Sequence, residues 1–338
     1  MPGGSSKQAV PGPPRHRARN RERGEMGDLT GPMEKGTPRS GPRVGVGMPV
    51  YNGANFVAEA IESVLGQTFE DFELVICDNA STDETQEICL SYAAMDKRIR
   101  YLRNRKNLGG GPNFTRVFQL SRGEFFKIAN HDDICHPRFL ELCVDVLTND
   151  TEIVSAYPLT VDIDESGAVI RKLPSAPRYE STDPATRIWE ALQFEREPLA
   201  LFGVMRSDIV VKTGLMASVP SADRIWLAEL LMHGRFGEVP EPLYLHRDHP
   251  LRSTYSAGRG HASMAWWDPG MMGTFKFPYW RMMRKLAEAI RRSPLGTADR
   301  RRAYLLLARW GTTNQHHLKL LYDAAIPLRP LIDRLYRY

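Results

Sequence analysis

Strand-like and helix-like segments alternate four times between residue 44 and the helical pattern that begins near Pro137. This alternation limits the fold more than any other feature of the sequence. Short apolar runs predict strands over residues 44–50, 72–77, 99–102 and 125–129, and a helical pattern follows each of them. Strands that are joined by helices pair in parallel and leave helices on both faces of the sheet. The chain is therefore predicted to form an α/β fold around a doubly wound, mostly parallel sheet.

Polar residues follow each of the four predicted strands, at the point where the strand ends. They are residues 49–52, residues 78–83, Asn107, and the pair Asp132 and Asp133. Because the carboxyl ends of parallel strands meet at one edge of a sheet, we expect a ligand to bind there. In the second cluster, Ser81 and Glu84 form a capping box that predicts a helix from about Thr82.

Asp132 and Asp133 are adjacent carboxylates at the end of the fourth predicted strand. Their charges repel unless a cation lies between them, and carboxylate oxygens are the ligands that Mg²⁺ and Mn²⁺ prefer. The alternative is a plain turn, in which Asp133 would cap the next helix. Asp83 is open to two similar interpretations, a helix cap or a ligand contact.

Three residues further along the chain are candidates for chemistry. Asp223 precedes an apolar helical run, where it would act either as a general base for a hydroxyl group or as a helix cap. Arg247 and His249 end a strand-like segment. An arginine there can bind a diphosphate, and a histidine can complete a metal site. A structural role is the alternative for both.

The net charge of +5 is distributed unevenly along the 338 residues. Residues 1–43 sum to +5, residues 44–279 to −9 and residues 280–338 to +9. The first segment is rich in Pro and Gly and poor in large apolar side chains, so we expect a disordered basic tail. The acidic body argues against nucleic-acid binding by the protein as a whole.

The cysteines and the hydropathy pattern indicate the cellular compartment of the protein. No two of the four cysteines have Cys-x-x-Cys spacing, so we expect buried thiols in a reducing environment. No run of 18 apolar residues is present, and residues 1–43 lack the apolar core of a signal peptide. We therefore expect a cytoplasmic protein.

Residues 280–338 are basic and have helical patterns. A helix over 280–292 is predicted to place Met283, Leu286, Ala287 and Ile290 on one face. One interpretation is a helical section packed on the acidic body. The other is a surface that contacts anionic lipid at the inner face of the membrane.

From residue 44 to about residue 255, the sequence resembles the family 2 glycosyltransferases, which adopt the A-type nucleotide-sugar fold. The resemblance depends on six segments in the order and spacing typical of that family. They are Met48-Pro-Val-Tyr-Asn52, residues 60–69, residues 72–85, Asn107-Leu-Gly109, residues 122–127 and His131-Asp-Asp133.

The resemblance implies an enzyme with a nucleotide-sugar donor, a hydroxyl acceptor and Mn²⁺ or Mg²⁺ as cofactor. UDP or dTDP is the expected nucleotide. The implied catalytic base is Asp223, and the implied metal ligands are Asp133 and His249, although whether Asp132 or Asp133 binds the metal directly stays open. The implied nucleotide-sugar contacts are Pro49, Tyr51, Asn52, Glu59, Asp78, Asn107, Lys127, Asp132 and Arg247.

The sequence departs from the family pattern at two positions. His131 stands where many relatives carry an acid, and Ala222 stands where many carry Glu or Asp. No Gln-x-x-Arg-Trp segment, the mark of processive polymerases in this family, is present. We therefore expect transfer of a single sugar with inversion at the sugar carbon. The expected acceptor is a polysaccharide, a glycolipid or a natural product, and a lipid-linked acceptor is included. An inactive module that binds nucleotide without turnover is the alternative.

The predicted domain organisation follows from these segments. It comprises the tail over 1–43, a catalytic domain over 44–260 and a helical section over 261–338. Within the catalytic domain, residues 44–135 are predicted to form the nucleotide-binding half and residues 136–260 the acceptor half.

Overall fold

The structure is a computed structural model that describes residues 41–325, except 176, 194–196, 220, 253–263, 268, 270–276 and 314. The described residues belong to one compact unit. The predicted tail lies outside the described residues except for 41–43, and so does the predicted boundary at residue 260.

A sheet of nine strands forms the centre of the described chain. The strands are β1 (Val44–Val50), β2 (Phe72–Asp78), β3 (Ile99–Arg103), β4 (Phe125–Ile128), β5 (Ile134–Cys135), β6 (Ile153–Ile163), β7 (Val169–Lys172), β8 (Val204–Arg206) and β9 (Arg235–Arg247). Their order across the sheet is β3-β2-β1-β4-β8-β6-β9-β5, and β7 pairs with β6.

The sheet has a parallel half and a mixed half. Strands β1 to β4 pair in parallel, as the alternating sequence pattern predicts. Beyond them, β8 runs antiparallel to β4 and β6, whereas β6 and β9 pair in parallel. The predicted α/β fold class with a mixed, doubly wound sheet of largely parallel strands is thus confirmed, and β8 is the strand that runs antiparallel to both of its neighbours.

Eleven described helices and one 3₁₀ turn surround the sheet. The helices are α1 (Val57–Leu65), α2 (Thr85–Met95), α3 (Gly110–Leu120), α4 (Phe139–Asn149), α5 (Pro184–Gln193), α6 (Ser207–Val210), α7 (Ala222–His233), α8 (Met264–Trp267), α9 (Pro278–Arg292), α10 (Thr297–Thr312) and α11 (His316–Ala325). The 3₁₀ turn is Leu199–Phe202. Every residue of β1 and β2 is buried, because helices cover both faces of this part of the sheet.

The prediction of a capping box before α2 was wrong. The helix begins at Thr85 rather than near Thr82, and its N-cap residue Glu84 makes no capping bond, whereas Asp83 accepts the N–H of Thr85 at 3.2 Å. The Ser81 hydroxyl instead accepts a hydrogen bond from the backbone N–H of Asn52 at 2.9 Å. The Ser81 hydroxyl therefore takes part in a tertiary contact between two loops instead of capping the helix.

The basic C-terminal section is helical, as predicted, and it packs on the body of the protein. The buried side chains of α9 include Met282 and Ala289 rather than the predicted Met283 and Ala287. The Trp310 indole of α10 donates to the carbonyl oxygen of Leu192 at 2.8 Å. In the part of the chain that the structure describes, no helix combines the length and apolar character needed to cross a membrane.

All four cysteines are buried free thiols, as predicted. Burial raises the pKa of Cys77, Cys89 and Cys143 to about 12 in each case. These thiols are therefore protonated at neutral pH and belong to the core.

Candidate functional site

Two loops at the carboxyl edge of the parallel half are tied together by short polar side chains. Asn52, which adopts φ 51°, accepts the backbone N–H of Thr82 on its side-chain oxygen at 2.8 Å. The N–H of Gly53 donates to the Thr85 hydroxyl at 2.8 Å, and the N–H of Ala54 donates to Asp83 at 3.1 Å. Asp83 therefore has a structural partner, while the neighbouring Tyr51 stays exposed at 42%.

Asp78 is fully buried at the end of β2, and protein groups surround its carboxylate. It accepts hydrogen bonds from the Tyr101 hydroxyl at 2.7 Å, from Arg103 at 3.1 Å and from the N–H of Ser81 at 2.8 Å. Burial, together with this carboxylate, raises the pKa of the Tyr101 phenol. Asp78 thus shapes the loop that follows β2, and its predicted contact with a base or ribose stays a prediction.

Four asparagines, of which three are buried and Asn107 is half-buried, form a network behind the same edge. Asn79 donates to the side-chain oxygen of Asn107 at 2.9 Å, and Asn104 donates to both Asn79 and Asn113 at 3.0 Å. Asn113 in turn donates to the carbonyl oxygen of Cys77 at 2.9 Å. The sequence predicted a role for Asn107 alone. In the sequence, Asn79 and Asn104 each directly follow an apolar strand, and this position was the signal that could have identified them.

Pro49 lies within β1, where it is opposite Cys77 in the parallel register. It is buried, and the exposed Tyr51 follows two residues later. The strand therefore brings the Pro49 segment to the edge where the polar loops meet.

The acidic loop after β4 points its two carboxylates toward different partners. Asp133 is 4% exposed and accepts hydrogen bonds from Asn130 at 2.8 Å, from the backbone N–H of Arg247 at 2.8 Å, and from the Tyr244 hydroxyl. Burial, and then the neighbouring Asp132 carboxylate, raise the pKa of Asp133 above its usual range. Asp133 therefore joins the loop to β9.

Asp132, by contrast, faces the imidazole of His249. The Asp132 Oδ2 atom lies 3.1 Å from His249 Nε2. Burial alone would raise the pKa of Asp132, but the nearby His131 and the hydrogen bond with His249 outweigh it and lower that pKa to about 2. Of the two carboxylates, the geometry favours Asp132 over the predicted Asp133 as the one that shares a ligand site with His249.

Arg247 holds the acidic loop from the other side. Its guanidinium donates to the carbonyl oxygen of Asp132 at 2.9 Å, to that of Glu165 at 2.9 Å, and to Glu59 at 2.5 Å. The side chain is 1% exposed, and its guanidinium carbon lies 4.7 Å from the centre of the Phe56 ring. Arg247 and Glu59, both predicted nucleotide-sugar contacts, therefore pair with each other.

Phe56 was not predicted from the sequence. Its ring also contacts the ring of His249, edge to face at 4.8 Å. The aromatic side chain thus packs against the two late residues, Arg247 and His249, that border the acidic loop. An aromatic residue just after the Asn52 loop was the only sequence signal.

The structure does not support the predicted nucleotide contact of Lys127. This side chain is 1% exposed, and its ammonium group donates to the carbonyl oxygen of Phe202 at 2.7 Å. The same ammonium lies 4.0 Å from the centre of the Phe139 ring. Alternation along β4 turns Lys127 into the protein interior, where carbonyl oxygens and an aromatic ring stabilise its charge.

Asp223 lies in the first turn of α7, and Ser221 takes the N-cap position that was the alternative for Asp223. The Asp223 carboxylate accepts the N–H of Arg224 at 2.8 Å. Burial is the largest cause that raises the pKa of Asp223, and the charge of Glu197 adds to it against the opposing Arg224. A carboxylate with a raised pKa is a stronger base when ionised.

A chain of charged groups that sequence reasoning missed lies beside β6 and β9. His246 pairs with Asp162 at 2.9 Å and with Glu197 at 3.3 Å, and Arg252 pairs with Glu197 at 2.6 Å. Burial lowers the pKa of His246, but hydrogen bonds to the two carboxylates outweigh it and raise that pKa to about 9. No local motif joins residues this far apart in sequence.

The donor atoms of Asp132 and His249 fit a divalent cation. A carboxylate oxygen and an imidazole nitrogen are ligands that Mn²⁺ accepts, and Mg²⁺ binds one or two carboxylates together with phosphate oxygens. The other imidazole nitrogen of His249 is buried without a hydrogen-bond partner among the described residues. No group of three or more acidic, histidine or cysteine side chains with metal-ligand geometry occurs in the described part of the chain.

Comparison with known families and proteins gives consistent matches. The sequence model of the family described as Glycosyl transferase family 2 matches residues 45–204. Chondroitin synthase of Escherichia coli is 32% identical over 147 residues, which cover 44% of this chain and 21% of the relative. An uncharacterised glycosyltransferase of Methanocaldococcus jannaschii is 32% identical over 146 residues, which cover 43% of this chain and 48% of the relative. The chain thus spans less than half the length of either relative.

A solved structure with a similar fold covers more of the chain. The crystal structure of S. aureus TarS residues 1–349 in complex with UDP superimposes with a TM-score of 0.59 at 17% identity, over 81% of this chain and 73% of that one. The same fragment in complex with UDP-GlcNAc gives the same TM-score. Residues 45–204, just under half of the chain, thus match the family 2 glycosyltransferases in sequence, and the fold is similar to that of TarS.

Proposed function

We propose that this protein transfers a single sugar from a nucleotide-diphosphate sugar to an acceptor hydroxyl group, with inversion at the sugar carbon and with Mn²⁺ or Mg²⁺. The observation that carries the proposal is the pairing of Asp132 with His249 at 3.1 Å, directly beyond the carboxyl end of β4. Ligands of α/β sheets bind at this edge. The polar loops after β1 and β2 end at the same edge.

Asp132 and His249 are the residues that would hold the cation. When bound, the cation supplies positive charge that offsets the charge of a departing nucleotide diphosphate. Asp133 and Arg247 act by position, because the hydrogen bond between them fixes the acidic loop against β9. A diphosphate contact of Arg247 is proposed through one N–H group only, because its buried guanidinium already donates to the carbonyl oxygens of Asp132, Asp164 and Glu165 and to Glu59.

Asp223 is the proposed base. It takes the proton of the acceptor hydroxyl while the acceptor oxygen forms a bond to the sugar carbon, and the bond from that carbon to the diphosphate oxygen breaks. The electron pair of the broken bond leaves with the nucleotide diphosphate. Attack opposite the leaving group inverts the sugar carbon.

The donor half of the site is proposed to be Pro49, Tyr51, Asn52, Asp78 and Asn107 together with the acidic loop. TarS, which shares the fold, has been crystallised with UDP and UDP-GlcNAc, and this supports UDP as the nucleotide, with dTDP as the second candidate. We propose residues 44–135 as the nucleotide-binding half, 136–260 as the acceptor half and 261–338 as a helical section.

The remaining assignments concern the acceptor and the setting of the reaction. We propose that the acceptor belongs to a polysaccharide, a glycolipid or a natural product. We also propose a cytoplasmic protein whose basic helices α9 to α11 contact anionic lipid. The described helices support this by placing Trp280, Leu321 and Tyr322 at the surface among arginines.

The proposal is tested by nucleotide release and thermal stabilisation with UDP- and dTDP-sugars in the presence of Mn²⁺. We expect stabilisation by one donor and release of its nucleotide, both lost on chelation. Asp132→Asn should abolish both effects of Mn²⁺, whereas Asp145→Asn, at an exposed position of α4, should behave as the wild type. Nucleotide binding without release from any donor would instead support the inactive module.

A further inference from the structure

A cavity of about 450 Å³ opens beside the second half of β6, between β7 and the 3₁₀ turn. Part of its wall is apolar or aromatic, with Tyr157, Leu159 and Tyr179 among the lining residues. Glu197, His246 and Arg252 supply charged groups on the same wall. Cavities of this size that combine apolar walls with a few fixed polar groups are typical of sites for small ligands.

Tyr179, one of the lining residues, has a buried hydroxyl group. The side chain is 1% exposed, and its hydroxyl has no hydrogen-bond partner in the described part of the chain. The ring itself is fixed by packing against Phe236, with ring centres 6.0 Å apart. Because a buried hydroxyl without a partner costs free energy, a ligand that offers a hydroxyl group would restore the missing hydrogen bond.

Acidic groups slightly outnumber the cations around the cavity. Asp162 pairs with Arg171 at 2.6 Å and with His246, while Glu197 and Asp248 both pair with Arg252. With Glu238 included and His246 protonated, four carboxylates face three cations. A phosphate or carboxylate ligand would find each cation already paired with an acid. A neutral ligand with many hydroxyl groups fits better, because it can both donate and accept.

The cavity is next to the proposed base. Glu197 lines the cavity, and its charge acts on Asp223 in the first turn of α7. The ring of His246 lies 6.5 Å from that of Tyr244, whose hydroxyl bonds to Asp133 of the acidic loop. A ligand in the cavity would therefore be close to the groups that carry out the transfer.

We infer that this cavity binds a neutral sugar ring of the acceptor, with the Tyr179 hydroxyl and Glu197 as hydrogen-bonding groups and the tyrosine rings against its apolar face. The inference rests on the proposed function. It adds the class of acceptor, a neutral saccharide rather than an acidic sugar or a phosphate, and it assigns a specificity role to Tyr179.

Binding is tested directly by saturation-transfer NMR with three neutral probes, the methyl glycosides of glucose, galactose and mannose, and with methyl glucuronide as the acidic probe. We expect at least one neutral glycoside to bind the wild type more tightly than the glucuronide. Tyr179→Phe should weaken that binding about 3- to 10-fold, as expected for one hydrogen bond, while Tm stays unchanged or rises. Ser175→Trp, at the exposed rim, should remove binding.

Tyr304→Phe is the matched control, because it removes a hydroxyl group from α10, and it should bind as the wild type does. The inference is overturned if no neutral glycoside binds, if the glucuronide binds more tightly, or if Tyr179→Phe leaves affinity unchanged. The proposed function fails separately, when no nucleotide sugar stabilises the protein or releases nucleotide. Glycoside binding that depends on Tyr179 would then still support a saccharide site.

Discussion

Different kinds of polar interaction hold the carboxyl edges of the two halves of the sheet. In the parallel half, neutral amides of Asn79, Asn104, Asn107 and Asn113 bond to one another, and the ion pair of Asp78 with Arg103 lies beside them. In the mixed half, charged pairs dominate, and the longest series runs from Asp162 through His246 and Glu197 to Arg252.

This difference separates two tasks. Amides that satisfy one another keep their hydrogen bonds at any ordinary pH, so the parallel half can hold the proposed nucleotide-binding loops in the same conformation throughout. The mixed half contains the raised pKa values of Asp223 and His246, as expected where protons are bound or transferred. The comparison predicts that substitutions of these two residues change catalysis and pH dependence, while donor binding depends on the loops of the parallel half and on the acidic loop with His249.

The largest expected effect follows the loss of the proposed base in the mixed half. Asp223→Asn should lower the rate of transfer by roughly 10²–10⁴-fold, because the acceptor hydroxyl then loses its proton acceptor. The fold should survive, since the change removes a partly buried charge. Stabilisation by UDP with Mn²⁺ should stay close to that of the wild type, which separates the two halves experimentally.

Steady-state rates and thermal shifts of the same preparation check this prediction. Asp208→Asn, on the exposed surface of α6, serves as the control and should keep full activity. Turnover like that of the wild type in Asp223→Asn would remove this residue from the base role. A loss of donor binding in that variant would contradict the division between the halves.

The second prediction concerns how the C-terminal section supports the mixed half. Glu229 of α7 is 1% exposed and pairs with Arg292 of α9 at 2.9 Å. Arg292→Met should lower the free energy of unfolding by about 3 kcal/mol, because it leaves a buried carboxylate without its cation. Arg284→Met on the same helix removes an exposed pair with Glu288 and should cost less than about 0.5 kcal/mol.

Urea unfolding of the two variants measures the difference. Equal changes in the free energy of unfolding would show that the pair of Arg292 with Glu229 does not hold α9 against α7. A large effect confined to Arg292→Met would support a helical section that helps to position the helix of the proposed base.

The sequence allowed more to be predicted in one half than in the other for a physical reason. The strands β1 to β4, the polar loops after them and the basic helical section follow from local periodicity and motifs. The family resemblance is confirmed over residues 45–204. Antiparallel β8 and the partners of Lys127 and Asp133 depend on chain segments 70 or more residues away. Local patterns carry no information on such pairs, so the interior position of Lys127 and the cluster around His246 emerged only from the structure.

The smallest predicted effect is a pH dependence confined to the mixed half. His246 is held in its protonated form by Asp162 and Glu197, against burial and Arg252, and its pKa is raised from 6.5 to about 9. The folded protein therefore binds this proton more tightly than the unfolded chain does. Its contribution to the free energy of unfolding is complete below pH 6.5 and disappears as the pH rises through about 9.

The buried thiols of Cys77, Cys89 and Cys143, whose pKa values are raised from 9.0, also affect stability near pH 9, so the test compares the wild type with a variant of His246 alone. The pKa of His316 is lowered to about 4 by burial, and the pKa of His233 is lowered for the same reason, so both lose their protons at lower pH. His246→Gln keeps hydrogen bonding and removes the titration, so its unfolding free energy should change less between pH 6.5 and 9. In hydrogen exchange at pH 9, the wild type should lose protection in β6 and β9 while β1 to β3 keep theirs. Equal loss in both halves, or an unchanged slope in His246→Gln, would contradict the distinction between amide and ionic edges.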